Sequence, residues 1–180
     1  MAWSTPLTAV SNTALTAAQW NASVRDDLLT TAPALATTAG SHFVGTGVNA
    51  IAERISNTIT VATSETTSTT TYTNLTTVGP QVPITTGTKA IGLWSSTSGN
   101  NTSGQNSFMS VSVSGATPTQ VGQDAYSLRF QSFGTNARHR ASCVHMWTGL
   151  TSGSNTFTAV YKVDAGIGTW LDRELIIIPL

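Results

Sequence analysis

The side chains best suited to metal binding or nucleophilic chemistry gather in one stretch of the sequence: Arg138, His139, Arg140, Cys143 and His145. Cys143 and His145 stand two positions apart, and such a pair could begin a metal site or form a thiol–imidazole pair. A metal site needs three or four ligands, however, and His42 is the only histidine outside this stretch. We therefore interpret the stretch as a β-strand with a small buried thiol and a partly buried histidine on one face and both arginines on the other.

The acidic side chains near the C-terminus allow two interpretations. Asp172 and Glu174 share one face of a predicted strand, Arg173 lies on the opposite face, and Asp164 comes shortly before them. Two carboxylates on one face could serve acid–base catalysis or bind Ca²⁺. The alternative, which we favour, is a polar face that is solvated or that contacts another subunit.

No catalytic motif accompanies these residues. The sequence has no Gly-x-Ser-x-Gly, no glycine-rich phosphate loop ending in lysine, no His-Glu-x-x-His and no paired-cysteine motif. Its single cysteine cannot form an internal disulfide, which fits folding in a reducing cytoplasm. We therefore predict that the protein is not an enzyme and has no catalytic residues, bound metal or cofactor.

Charge is scarce in this sequence. Eight Lys and Arg balance eight Asp and Glu among 180 residues, and this 9% compares with about 25% in typical soluble domains. Because there is no basic run, no apolar run of about 18 residues and no signal-peptide pattern, we expect no nucleic-acid partner, no membrane and no secretion. A net charge of zero also gives little self-repulsion, which favours assembly.

Hydroxyl side chains take the surface places that charges usually hold. The chain contains 33 Thr and 20 Ser, and the β-branched Thr suits a pleated, half-exposed surface. Hydrophobic residues make up 39% of the chain, enough for an ordinary core once glycine is added. The composition therefore favours a folded, β-rich protein.

The first 56 residues predict an N-terminal attachment arm with one helix over about 16–29. Thr16 and Gln19 have the spacing of a capping box, and Trp20, Val24 and Leu28 form a narrow apolar stripe. A short helix with one stripe must dock on its own domain or on a neighbouring subunit. Residues 30–56 are rich in small residues and predict a linker, within which 43–55 could form a short hairpin or a turn leading into a strand.

From residue 57 onward, apolar and polar residues alternate with a period of two. About eight strands are predicted: 57–62, 70–78, 89–95, 107–114, 126–133, 138–147, 156–163 and 170–178. Short strands at this spacing indicate a mainly β fold, a jelly-roll-like antiparallel β-sandwich over 57–180. Met109, Val111 and Val113 are predicted to face its core, with the intervening serines facing solvent.

The last predicted strand ends in an apolar run. Its residues, Leu175, Ile176, Ile177 and Ile178, are apolar on both faces, so the strand should be central in a sheet or covered by a partner. An open edge of this composition would invite aggregation. These four residues are therefore candidates for an oligomer contact.

The five tryptophans fall into two groups. Trp94, Trp147 and Trp170 lie in predicted strands and are interpreted as core residues, with sugar-stacking platforms as the alternative. Trp3 and Trp20 lie in the arm, which has no core of its own, and tryptophan often dominates the binding energy of interfaces. We therefore expect these two to anchor the arm on a partner surface.

Several motifs resemble one group of proteins, the virion structural proteins of tailed phages that infect actinobacteria. The motifs are Trp3-Ser4-Thr5-Pro6, Leu15-Thr16-Ala17-Ala18-Gln19-Trp20-Asn21, Val24-Arg25-Asp26-Asp27-Leu28, the glycine-containing segment 45–52 and the C-terminal run 173–180. Similar chains often carry Asn where Asp27 stands here. Such proteins are described as head decoration proteins, head fibres or minor tail proteins.

The resemblance implies an oligomer, expected to be a homotrimer, on the exterior of the phage head after synthesis in the host cytoplasm. In this hypothesis a capsid decoration protein binds the major capsid protein through its arm and stabilises the shell. The binding residues would be Trp3, Trp20, Asn21, Val24, Arg25, Asp26 and Leu28, with the two charged side chains fixing the register. The alternative is a minor tail or fibre protein whose β-domain recognises a host-surface glycan through loops such as 98–105 or 134–137.

Overall fold

The computed structural model describes residues 13–25, 28, 36–48, 50–135 and 137–180. The chain divides into two compact units, Met1–Ile55 and Ser56–Leu180. Each unit is described separately below.

The helix in the first unit begins with the capping box that the sequence predicts. The Thr16 hydroxyl accepts a hydrogen bond from the Gln19 backbone at 3.2 Å, and the Gln19 side chain accepts one from the Thr16 backbone at 3.0 Å. The helix α1 covers only Ala17–Trp20 and continues as a π-helical turn over Asn21–Arg25. Of the predicted 16–29 helix, residues 26, 27 and 29 lie outside the described residues.

Part of the predicted linker is an antiparallel hairpin. Its strands are β1 (His42–Gly47) and β2 (Ala50–Arg54), with a register shift between Gly45 and Gly47. The Glu53 carboxylate ties the preceding segment to the hairpin, because it accepts hydrogen bonds from the backbone of Thr37 and Thr38, each at 2.9 Å. Of the two alternatives for 43–55, the hairpin is confirmed.

The second unit contains nine strands among its described residues. They are β3 (Asn57–Val61), β4 (Glu65–Thr67), β5 (Gln81–Thr86), β6 (Ala90–Asn100), β7 (Asn106–Gly115), β8 (Leu128–Gln131), β9 (Arg138–Trp147), β10 (Gly153–Val163) and β11 (Gly168–Pro179). One sheet has the order β3-β11-β6-β9, with β4 also paired to β11, and the other has the order β5-β10-β7-β8. All strand pairs are antiparallel. The prediction of a mainly β, antiparallel sandwich is therefore confirmed.

Side chains from both sheets form one core. Trp94, Trp147 and Trp170 are buried in it, as the sequence predicts, and they pack with Phe157 and Tyr161 of the other sheet. The Trp94 indole donates to the Met109 carbonyl oxygen at 3.3 Å, so one polar group of the core is satisfied across the two sheets.

One predicted strand differs from the structure, and two observed strands, β4 and β5, were not predicted. Residues 70–78 form an irregular segment in which Thr73 alone makes a β-bridge, to Tyr161. Strand β5 was not predicted because it contains Pro83. The proline is tolerated there because β5 lies at the edge of its sheet. The very short β4 consists only of Glu and Thr, so it has no alternation of apolar and polar residues from which a strand could be predicted.

Strand β7 corrects the prediction of a solvent-facing row of serines. Met109, Val111 and Val113 do face the core, but Ser110 is also fully buried. The segment after β7 folds back over this strand, where the Ser110 hydroxyl donates to the Gln123 carbonyl oxygen at 3.1 Å and accepts from the Gln123 backbone at 3.0 Å. A serine whose hydroxyl binds the backbone of a covering segment follows the same alternation as a serine that faces solvent. The sequence alone therefore does not distinguish the two.

Strand β11 is central and contains a bulge. It pairs with β6 on one side and with β3 and β4 on the other. Between Leu171 and Glu174 two residues, Asp172 and Arg173, oppose the single residue Ser96, and Asp172 has a φ of 49°. Because of this extra residue, Arg173 points into the sandwich, as do Leu175 and Ile177 after it.

Candidate functional site

The stretch that holds Cys143 and His145 is strand β9, whose bounds match the prediction. Both side chains are partly buried, and the His145 ring stacks on Tyr126 with centroids 4.3 Å apart. Burial lowers the pKa of His145. No group of three metal-ligating side chains occurs anywhere in the part of the chain that the structure describes. The geometry thus fits a strand that packs on the core.

Cys143 should react slowly with alkylating reagents. Burial raises the pKa of its thiol, which lies 3.6 Å from the carbonyl oxygen of Tyr126. Because the thiolate is the nucleophile, we expect iodoacetamide to modify Cys143 more slowly than it modifies free cysteine at neutral pH. Mass spectrometry of timed samples measures this rate, and a rate equal to that of free cysteine would contradict the assignment.

The acidic residues near the C-terminus do not form a paired site. Glu174 lies on the outer face of the sheet, 3.6 Å from the Arg140 guanidinium, which also donates to the Ser95 hydroxyl at 3.0 Å. Asp172 is exposed in the bulge, and Asp164 accepts a hydrogen bond from Asn106. This arrangement is the polar face that we favoured.

A buried ion pair, which the sequence did not suggest, lies behind the bulge. The side chain of Arg173 is fully buried, and its guanidinium is 3.2 Å from the Glu65 carboxylate, whose side chain is only 13% exposed. Arg173 also donates to the carbonyl oxygens of Gly79 and Thr63 at 3.4 and 3.3 Å. These contacts tie β11, β4 and two connecting segments together, so the pair has a structural role.

The outer face of the β3-β11-β6-β9 sheet carries two rows of apolar side chains. In one row, Ile178 of β11 is opposite Ile91 of β6, which is opposite Met146 of β9. In the next row, Ile176, Leu93 and Val144 are aligned in the same way. We call these six residues the apolar face.

All six side chains of the apolar face reach the surface. Val144 is 63% exposed, Met146 and Leu93 are also exposed, and the three isoleucines are half-buried. Adjacent strands lie about 4.8 Å apart, so each row is a continuous apolar strip across three strands. The next row along the sheet is polar and consists of Glu174, Ser95 and Ser142. An apolar block with a polar rim is the composition of a protein–protein interface.

The apolar face overlaps only in part with the predicted oligomer contact. Leu175 and Ile177 are fully buried in the core of the chain itself, so the prediction that their side chains contact a partner is wrong. Ile176 and Ile178 point the other way and belong to the apolar face. The other four members were missed because they lie on β6 and β9, and only the strand order brings them beside β11.

The predicted arm residues are exposed where the structure describes them. Trp20 is 56% exposed and Leu28 is 60% exposed, whereas Asn21 and Val24 are half-buried and Arg25 is exposed. Trp3 and Asp26 lie outside the described residues. The stripe therefore offers its two largest apolar side chains at the surface. No helix within the described ranges has the length and apolar character that a membrane crossing requires.

Neither the family models nor the curated proteins contain a match to this chain. Among solved structures, it is similar to a family 35 carbohydrate-binding module from Clostridium thermocellum, with 18% identity over 68% of this chain and 92% of the other and a TM-score of 0.34. It is also similar to dimeric latent PorU from Porphyromonas gingivalis, with 13% identity over 79% and 14% of the two chains and a TM-score of 0.36. A structure of infectious bursal disease virus, strain Gx, shares 11% identity over 74% and 35%, with a TM-score of 0.39. No family membership follows from these values.

Proposed function

We propose that this chain is a structural protein of a phage virion, a capsid decoration protein that binds the outer surface of the head. The observation that carries the proposal is the apolar face, because a monomeric domain has little reason to keep two apolar rows side by side at its surface. A protein of an assembled particle covers such a surface on assembly. Binding to the head in this way requires no catalytic residues.

A second copy of the chain is the occupant that we propose for the apolar face. The apolar face spans three strands and two rows of side chains, so it measures roughly 14 by 14 Å, or about 200 Å². The whole outer face of the sheet, with four strands in its main path and 11 residues in β6, measures roughly 19 by 37 Å, or about 700 Å². A stable interface buries about 800 Å² on each partner, so the apolar face would form its centre and the polar remainder of the sheet its rim. Two such faces can pack as sheets do in a sandwich, about 10 Å apart.

The charges of the chain agree with self-association. The outer face of the sheet carries Arg138 and Arg140 on β9 and Glu174 on β11, so both signs are present. The chain has a net charge of zero, so copies do not repel one another at long range. Packing of two apolar faces gives a dimer, and the homotrimer that we expect from the phage resemblance would require three such faces to meet around a three-fold axis.

The N-terminal arm is the proposed attachment device. Trp3, Trp20, Val24 and Leu28 would be buried on the major capsid protein, while Arg25 and Asp26 fix the register. Because the arm would bind only the assembled shell, every bound copy shifts the equilibrium toward the assembled state. The protein would thereby stabilise the head from outside.

Deleting residues 1–30 should abolish binding to purified, expanded phage heads. The deletion removes the exposed Trp20 and Leu28 but none of the strands of the sandwich. Cosedimentation with heads measures the binding, and circular dichroism checks that the truncated protein retains its β-structure. Trp20→Ala should weaken binding in the same assay, whereas Val78→Ala, an exposed valine in the second unit, should not.

Immunogold labelling of intact virions tests the placement directly. Gold particles on the head support the proposal. Labelling of the tail alone, or failure of the full-length protein to bind heads, would overturn it in favour of a tail protein.

The second candidate is a minor tail or fibre protein that recognises a host-surface glycan. Residues 98–100 of the predicted loop 98–105 belong to strand β6, where Ser98 and Asn100 are buried, so only 101–105 is a loop. One observation favours this candidate: the loop lies beside the segment that leads into 134–137, because Gly104 donates to the Ser132 carbonyl oxygen at 2.6 Å and Ser132 donates to the Gln105 carbonyl oxygen at 3.0 Å. The exposed Phe133 lies between Ser132 and the second loop. Loss of a glycan-array signal after mutation of 101–105, the part of the predicted loop that lies outside β6, would support this candidate.

A further inference from the structure

A cleft of about 420 Å³ opens on the outer side of the β5-β10-β7-β8 sheet. Its walls are the irregular segment 70–72 and the segment 121–124 that folds back over β7, and Lys162 of β10 also lines it. This volume falls within the range of roughly 300–1,000 Å³ that small-molecule sites occupy. The cleft is remote in sequence from the apolar face and shares no residue with it.

Three side chains form a fixed polar group in this cleft. The Lys162 ammonium is 2.8 Å from the Asp124 carboxylate, and the Tyr72 hydroxyl donates to the same carboxylate at 3.0 Å. Lys162 is further held over the rings of Tyr72 and Phe108, at 5.1 and 4.7 Å from their centroids. Because each member contacts the other two, the group is preorganised and carries no net charge.

Asp124 remains able to accept hydrogen bonds from a ligand. Its side chain is 58% exposed, although Lys162 is only 15% exposed. The hydrogen bond from Lys162 holds the pKa of Asp124 below its ordinary value, so the group is a carboxylate at neutral pH. An ionised carboxylate with free lone pairs is a strong acceptor for hydroxyl groups.

Other polar groups in the cleft are not used by the fold. The side chains of Thr70, Thr71 and Gln123 are exposed and make no hydrogen bond with the rest of the described chain. They offer two hydroxyls and one amide, which both donate and accept. Val121 is exposed beside them and adds an apolar contact. Donors, acceptors and an apolar patch are thus combined on one concave surface.

We propose that this cleft binds a neutral sugar unit of a polysaccharide. A sugar ring presents hydroxyls that match the carboxylate, amide and threonine hydroxyls, and its C–H surface can contact Val121 and Tyr72. An anionic ligand such as phosphate would have to compete with Asp124 for Lys162, which disfavours that class. The site is independent of the assembly role proposed above, because a head-bound or a tail-bound protein could carry it.

Saturation-transfer NMR with a panel of neutral sugars tests the site. The sugar probes are glucose, galactose, mannose, arabinose, N-acetylglucosamine, maltose and cellobiose at millimolar concentration. Inorganic phosphate is the anionic comparison, and its binding is followed by ³¹P line broadening because it has no carbon-bound proton to observe. We expect saturation transfer to at least one sugar and no broadening of the phosphate line. Gln123→Ala and Asp124→Asn should each weaken the binding of that sugar at least tenfold in a titration.

Two variants with substitutions outside the cleft serve as controls for sugar binding. Asp164→Asn removes an exposed carboxylate at another loop, and Phe133→Ala removes the exposed aromatic ring beside the loops 98–105 and 134–137. Neither should change sugar binding. Gln123→Ala guards against misfolding, because the contacts of residue 123 with Ser110 use only its backbone. The proposal is overturned if no sugar in the panel binds, if phosphate binds instead, or if Phe133→Ala abolishes binding while the two cleft variants retain it.

Discussion

Glu65→Gln should destabilise the sandwich by about 3–5 kcal/mol, the usual cost of removing one partner of a buried ion pair. Arg173 would keep its charge at a fully buried position, where the carbonyl oxygens of Gly79 and Thr63 and the ring of Tyr161 would remain near its guanidinium. The substitution preserves the shape of the side chain, so the effect reports the lost charge. Urea denaturation measures the free energy of unfolding.

Glu174→Gln is the matched control for this substitution. Its partner Arg140 is half-exposed and lies on the surface of the sheet, at 3.6 Å. Exposed pairs contribute about 0–1 kcal/mol, so this variant should unfold almost like the wild type. The double variant Glu65→Gln, Arg173→Met should recover much of the lost stability, because no uncompensated charge remains. Equal effects of the two Glu→Gln variants would contradict the structural role of the buried pair.

The effect of Glu65→Gln should also depend on pH. Burial of the carboxylate raises its pKa, but the hydrogen bonds from Thr77 and the charge of Arg173 lower it by more, so the pKa of Glu65 lies below its ordinary value. A depressed carboxylate pKa stabilises the fold above the unfolded pKa of about 4.3 and loses this contribution as pH falls through the folded pKa. The stabilities of wild type and variant should therefore converge in acid.

Val144→Lys should dissociate the proposed oligomer without unfolding the chain. Val144 lies in the second row of the apolar face and is 63% exposed within one chain, so a lysine there fits the monomer. In an assembled interface, however, the ammonium would be buried among apolar side chains. A hot-spot residue at the centre of an interface costs about 2 kcal/mol or more when it is lost, which is roughly a 30-fold weaker association, and we expect an effect of this size here. Light scattering coupled to size-exclusion chromatography measures the mass at several concentrations.

Leu93→Lys, in the same row, should have the same effect, and Ile167→Lys provides the control. Ile167 is an exposed isoleucine in the loop between β10 and β11, away from the apolar face. Its substitution should leave the mass unchanged. A wild-type protein that remains monomeric at all concentrations would remove the second copy as the occupant of the apolar face.

Strand β9 could be predicted from the sequence because the pattern that defines it involves only residues close together in the chain. Alternating side chains over 138–147 define its bounds, and the tryptophan at its end is a core residue in any β-sandwich. The three core tryptophans and the capping box at Thr16 were predictable for the same reason: each depends on neighbours within a few positions.

The apolar face was not predictable, because it depends on contacts between distant parts of the chain. Its residues come from β6, β9 and β11, which become neighbours only through the strand order. The bulge at Asp172 and Arg173 also breaks the strict alternation that the prediction assumed. The buried Arg173 was missed for the same reason, since a charged residue between two acidic ones has the pattern of a solvated face.

The bulge in β11 shifts the alternation of inward-facing and outward-facing side chains by one residue. Before it, Trp170 faces the core, and strict alternation from Trp170 would turn Ile176 and Ile178 inward as well. One additional residue reverses this order and presents both isoleucines on the outer face. A one-codon deletion at Asp172 would remove the additional residue and leave a regular strand, in which Arg173, Leu175 and Ile177 still face inward and Ile176 and Ile178 still face outward. Such a change in chain length would therefore be absorbed at the bulge without altering the two faces of the strand that follows it.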